Sequence, residues 1–143
     1  MDAMSKGRVL VVDDEANVRV AVRLILSKAG YDVIEAEDGL AAVAALKPGN
    51  NPVSVDVIIC DLDMPKMDGI EAIPNFLFGL PSCPIIILSG SEKLESAARL
   101  FQPGIMFKQG VKEFLSKPID QVKLLRAVEK VINESGRRDQ FAT

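Results

Sequence analysis

Short apolar runs recur along the chain, and stretches of helical periodicity fill the intervals between them. Val9-Leu10-Val11-Val12 has no polar alternation, which predicts a strand buried on both faces. Over residues 16–29 the apolar positions Val18, Val22, Ile25 and Ala29 fall at helical spacing, and Gly30 stands where a glycine commonly ends a helix. Residues 32–36 form a shorter, more polar strand. Asp38 is placed to cap a helix carrying Leu40, Val43 and Ala44, which Pro48-Gly49 stops. Residues 55–60 read as a third strand. A helix follows over about 71–80, with Pro74 in its first turn, where proline is tolerated. Residues 84–88 form a fourth strand, 92–101 a helix and 113–116 a short fifth strand. Asp120 can cap a last helix with Val122, Leu125, Val128 and Ile132 on one face.

Strand and helix thus alternate five times, which predicts an α/β fold: one five-stranded parallel sheet with helices on both faces and right-handed crossovers. The first, third and fourth strands are the most apolar and belong in the centre. The second and fifth belong at the edges. The flavodoxin-like order 2-1-3-4-5 satisfies this grading, and it puts the ligand site at the carboxyl ends of the first and third strands. One domain is expected over residues 1–133, with 134–143 a polar tail or the start of a linker. Residues 48–52, rich in Pro, Gly and Asn, read as a loop inside that domain.

Composition narrows the chemistry. The chain has 17 Lys+Arg against 20 Asp+Glu and carries no basic block, so direct nucleic-acid or anionic-membrane binding is not expected. There is no histidine, which excludes Ser-His-Asp and Cys-His catalysis, a His metal ligand and a His phosphocarrier. The apolar runs fall far short of the roughly 20 residues that span a bilayer, and residues 1–8 lack a signal peptide's apolar segment, so a soluble, cytoplasmic protein is expected. Cys60 ends the third strand and Cys83 precedes the fourth. In parallel strands those are opposite ends, on the order of 15 Å apart at ~3.3 Å per residue, too far for a disulfide. Both read as buried small hydrophobes.

The same topology collects the polar residues that follow the strands. Asp13 and Asp14 follow the first, Asp61 the third, Ser89 the fourth and Lys117 the fifth, so all converge on one sheet edge. Three carboxylates about 5 Å apart repel by about 3 kcal/mol per pair at an effective dielectric near 20, so they need a counter-charge or protons. Hard oxygen ligands without Cys or His suit Mg²⁺. A Mg²⁺ site, an ammonium, a hydroxyl and backbone N–H groups are what a phosphoryl group requires during transfer, and an Asp can be the nucleophile. The bland alternative is a solvated acidic rim with Lys117 in a surface ion pair.

On these residues the chain resembles the response-regulator receiver domains of two-component signalling, over about residues 7–133. The matching stretches are Val11-Val12-Asp13-Asp14-Glu15, then Ile59-Cys60-Asp61-Leu62-Asp63-Met64-Pro65-Lys66-Met67-Asp68-Gly69, then Ile87-Leu88-Ser89-Gly90, and Phe114-Leu115-Ser116-Lys117-Pro118. The resemblance implies that Asp61 is the phosphoacceptor. It implies that Asp14 and Asp61 ligate Mg²⁺ by carboxylate, Asp13 mainly through water and Asp63 by its backbone carbonyl. Ser89 would hydrogen-bond a phosphoryl oxygen, and Lys117 would pair first with Asp61 and then with the phosphate. The Lys117-Pro118 bond is expected to be cis. Phe114 matches the family's switch aromatic, which rotates inward as Ser89 moves towards the phosphoryl group. That change reshapes the surface of the fourth helix, fifth strand and fifth helix. Ser89 and Gly90 are smaller than the family's commoner Thr and Ala. Ser89 and Lys117 are 28 residues apart, a longer separation than is usual in the family. The extra length sits near residues 101–109.

The implied phosphodonor is a sensor histidine kinase or a histidine phosphotransfer protein. The implied output is a downstream partner or effector domain, and the protein a monomer or phosphorylation-dependent dimer. Such a domain is not an enzyme beyond its own phosphoryl transfer and dephosphorylation. Three alternatives compete with this reading. Asp61-Leu62-Asp63 also matches the D-x-D of haloacid-dehalogenase-like phosphatases, but in those the D-x-D comes before the acidic pair. A flavin module on the same fold would meet an acidic first loop that repels its phosphate. A degenerate receiver would bind partners without being phosphorylated.

Overall fold

The computed structural model describes residues 5–46, 55–61, 83–90 and 111–135. The expected helices over 71–80 and 92–101, the loop at 48–52, the 101–109 segment, Asp63 and the residues from 136 onward lie outside them. The elements are β1 (Arg8–Val12), α1 (Ala16–Lys28), β2 (Asp32–Ala36), α2 (Gly39–Leu46), β3 (Val57–Cys60), β4 (Ile85–Ser89), β5 (Val111–Ser116) and α3 (Gln121–Ser135). Here α3 is the last of the helices that the sequence predicts.

All four strand pairings are parallel and the order is β2-β1-β3-β4-β5. The grading of apolar content explains it. Every residue of β3 is buried, as is β1 after Arg8, while β2 and β5 keep exposed positions and lie at the edges. Val9, Val11, Val57, Ile59, Ile86 and Leu88 point to one face, where α1 supplies Val22 and Leu26 and α3 supplies Leu124, Ala127, Val128 and Val131. The alternating residues Leu10, Ile58, Ile85 and Ile87 are just as buried, so the opposite face is covered as well. No helix among the described residues is long and apolar enough to cross a membrane.

Local chemistry sets the helix ends. The Asp38 and Asp120 carboxylates accept the Ala41 and Lys123 N–H groups at 2.8 and 3.0 Å, the caps expected of them. At the end of α1 the amides of Ala29, Gly30 and Tyr31 return to the carbonyls of Leu26 and Ser27, with Gly30 at φ 102°. Two helical faces differ from the pattern reading. In α2, Ala42 is buried while Leu40 and Ala44 are exposed. In α3, Val128 is buried and Leu125 and Ile132 pack half-buried against the core as expected, but Val122 is exposed and the most buried row is Leu124, Ala127, Val128 and Val131. Both rows have helical spacing, so periodicity alone did not choose between them.

Two strand boundaries also move. β3 begins at Val57, because Asp56 meets Arg8 through its carboxylate as well as its backbone. β5 begins at Val111, earlier than the pattern suggested, with a register irregularity opposite Ile85 and Ile86. Cys60 and Cys83 are buried free thiols, as strand direction required.

Candidate functional site

The site follows from register. Val12 is paired with Cys60, so the next residues, Asp13 and Asp61, leave adjacent central strands side by side. The Asp61 N–H donates to the Val12 carbonyl at 2.9 Å, and the Asp13 N–H donates to Ala36 on the other flank at 3.1 Å. Asp13, Asp14 and Asp61 each bring a carboxylate oxygen within 4.8 Å of the others. Asp13 and Asp61 are buried and Asp14 is exposed.

Lys117 comes from the far edge of the sheet and reaches across the end of β4. Its Nζ lies 3.0 Å from Asp13 Oδ2, 3.1 Å from Glu15 Oε1 and 3.4 Å from Asp61 Oδ2. The Lys117-Pro118 peptide bond is cis. Asp13 Oδ1 accepts the Glu15 N–H at 2.9 Å, whereas its buried Oδ2 is held by the ion pair with the Lys117 ammonium. Burial pushes the Asp13 carboxyl above its ordinary range, the Glu15 amide and Lys117 oppose this, and the Asp61 charge adds to the rise. Burial alone would lower Lys117. Its pairing with Asp13 and Glu15, and the Asp61 charge, outweigh burial and hold its pKa well above the usual value.

Among the described residues Lys117 thus pairs with three carboxylates, with a fourth, Asp14, beside them. An oxygen-only donor set of three close carboxylates, two of them buried, fits a small hard divalent cation such as Mg²⁺. Ser89 is the last residue of β4, two beyond the Ile87 that pairs with Cys60, and so lies on the same sheet edge. Phe114 is half-buried on β5 opposite Ile87. Of the residues that the sequence singled out, the structure brings Asp13, Asp14, Asp61 and Lys117 into one cluster. It puts Ser89 and Phe114 on the neighbouring strands.

Two contributors were missed. Glu15 holds Lys117, and Arg19 donates to the Asp13 carbonyl at 2.6 Å. The signal for Glu15 was its place directly after the acidic pair. The signal for Arg19 was its position one helical turn further on.

The family model for the response regulator receiver domain matches residues 9–129. This chain belongs to the response regulator receiver domain family. The chemotaxis protein CheY of Treponema pallidum is 34% identical over 131 residues, covering 87% of this receiver and 82% of that protein. The transcriptional regulatory protein GlrR of Escherichia coli is 32% identical over 129 residues, covering 90% of this receiver but only 27% of GlrR. Among solved structures, the REC domain of AraT from Geobacillus stearothermophilus matches with a TM-score of 0.75 at 31% identity, covering 93% of this receiver and 98% of that domain. Membership removes the dehalogenase-like phosphatase and the flavin module as readings of this chain. The receiver family sets the class of the protein: a domain of two-component response regulators.

Proposed function

We propose that the receiver accepts a phosphoryl group on Asp61 in a Mg²⁺-dependent reaction and passes the change to a partner. The observation that carries this reading is the convergence of the Asp13, Asp14 and Asp61 carboxylates, the first and last of them buried, with Lys117 at their side. The Asp14 and Asp61 carboxylates, Asp13 mainly through water and the Asp63 carbonyl would hold the cation, which would supply charge neutralisation for the incoming phosphoryl oxygens.

The remaining chemistry belongs to the chain. An Asp61 carboxylate oxygen attacks phosphorus, the new O–P bond forms, and the donor's N–P bond breaks with its electron pair returning to the imidazole nitrogen. None of these 143 residues is a histidine, so the donor lies outside them: a histidine kinase, a phosphotransfer protein or, in vitro, acetyl phosphate. Lys117 moves part of its pairing from the Asp61 carboxylate to a phosphoryl oxygen, and the Ser89 hydroxyl donates to another. Attack by water on phosphorus ends the signal and releases inorganic phosphate. The output runs through Ser89 and Phe114 to the surface around β5 and the flanking helices, which meets a downstream protein or effector domain.

Intact mass after incubation with acetyl phosphate and Mg²⁺ tests the reading. One added phosphoryl group, labile to hydroxylamine and absent both from Asp61→Asn and without metal, is expected. No adduct, and no steady release of phosphate from acetyl phosphate, identifies a degenerate receiver instead.

A further inference from the structure

Behind the acidic cluster lies a second, opposite arrangement of charge. Arg19, one turn into α1, is largely buried, with 16% of its side chain exposed. Its Nη1 donates to the Asp13 carbonyl at 2.6 Å and its Nε to Glu35 Oε1 on β2 at 3.2 Å. Arg23, one turn further along α1, donates Nε to the other Glu35 oxygen at 2.7 Å. Glu35 is thus gripped by both arginines, and its hold on Nε fixes where the Arg19 fork points.

The consequence falls on Asp13. Its N–H is bound by Ala36, its carbonyl by Arg19 and its Oδ1 by the Glu15 N–H, which leaves Oδ2 as the one polar atom without a hydrogen bond. A carboxylate fixed at the other three polar atoms has little freedom to turn its last oxygen away from the cluster. The peptide that Arg19 grips also joins Asp13 to Asp14, so its orientation sets how both carboxylates converge. Arg19 itself, bonded to the backbone carbonyl and to Glu35, is placed to steer the turn and not to neutralise the carboxylates.

We propose that Arg19 is a positioning residue for the cation site: oriented by Glu35, it locks the Asp13–Asp14 turn so that Asp13 Oδ2 and the Asp14 carboxylate face the Asp61 carboxylate. The proposal rests on the reading that this cluster binds Mg²⁺. Residues that orient metal ligands typically change affinity by 10–100-fold when removed. Arg19→Ala raises the Mg²⁺ dissociation constant at least about tenfold. Glu35→Gln, which leaves the arginine in place but loosens it, raises it less. The double variant is no worse than Arg19→Ala, because both act through one contact. Arg23→Ala, which reaches Asp13 only through Glu35, has the smallest effect.

Calorimetric titration of the full chain with Mg²⁺ reads these affinities. Amide hydrogen exchange at the Glu15 N–H, whose acceptor is Asp13 Oδ1, reads the turn in metal-free protein. Weaker Mg²⁺ binding together with faster exchange in Arg19→Ala supports the proposal. Wild-type affinity and wild-type exchange in that variant overturn it. If Arg19→Ala does not fold, Glu35→Gln decides by the same two readouts. If the wild type binds no Mg²⁺, the phosphoryl-transfer reading fails. The exchange rate still decides Arg19's part, since unchanged Glu15 protection in the variants removes it.

Discussion

The two ends of the sheet carry similar residues and use them in opposite ways. At the amino end, the Arg8 N–H donates to Asp56 Oδ2 at 2.8 Å, the Asp56 N–H returns to the Arg8 carbonyl at 2.8 Å, and the Arg8 guanidinium lies 3.9 Å from Asp32. The Arg8 and Asp32 side chains are 41% and 58% exposed, so water carries most of the charge. At the carboxyl end, the Asp13 and Asp61 side chains are 2% and 6% exposed and share Lys117. Acidic residues therefore do not mark a site by themselves. Burial of several like charges side by side does, because the fold then carries a cost that a ligand can relieve.

The comparison can be broken by substitutions at either end, measured by urea unfolding at neutral pH without divalent metal. Lys117→Ala is the most damaging, with a loss of about 3 kcal/mol, because it removes the cation that the buried Asp13 and Asp61 carboxylates share. The Lys117 contribution also has a pH signature. Its folded pKa is raised, so its stabilisation is complete below the unfolded value near 10.4 and disappears as pH rises through the folded value. The variant lacks that alkaline limb. Asp13→Asn runs the other way and stabilises the metal-free protein by about 1 kcal/mol. A raised carboxyl pKa means that the ionised form is disfavoured in the fold. Its penalty is absent below about pH 3.9 and grows as pH rises through the folded value. The smallest effect is at the amino end, where Asp32→Ala changes stability by at most about 0.5 kcal/mol, since it removes only a long, exposed ion pair. A loss above 2 kcal/mol for Asp32→Ala, or none for Lys117→Ala, would erase the contrast.

The sheet was readable because its signals are local and graded. Val9–Val12 and Val57–Cys60 are apolar throughout, Asp32–Ala36 is mixed, and that ranking alone orders the strands. Asp13, Asp14, Asp61 and Lys117 were readable for a topological reason: parallel strands deliver the residues that follow them to one edge. Helix faces were less legible. α3 contains two overlapping apolar rows, and only the position of the sheet selects Leu124 and Val131 over Val122. Glu15 and Arg19 were marked only by their nearness to the acidic pair, which does not say what they touch. Glu15 contacts Lys117 across 102 residues of chain, and Arg19 acts through a backbone carbonyl, which no residue pattern encodes. Glu15 also stands at the N-cap of α1 but makes no side-chain cap, its carboxylate being turned to Lys117 instead.

The central claim is that the carboxyl end holds buried charge in want of a divalent cation, and paired unfolding curves of wild type and Asp13→Asn, with and without Mg²⁺, test it most directly. Without metal, Asp13→Asn is the more stable protein. At Mg²⁺ about a hundredfold above its dissociation constant the wild type gains about 2.7 kcal/mol, the variant gains less, and the order reverses. A wild type that is the more stable of the two without metal, and whose unfolding midpoint does not move with Mg²⁺, would contradict the account.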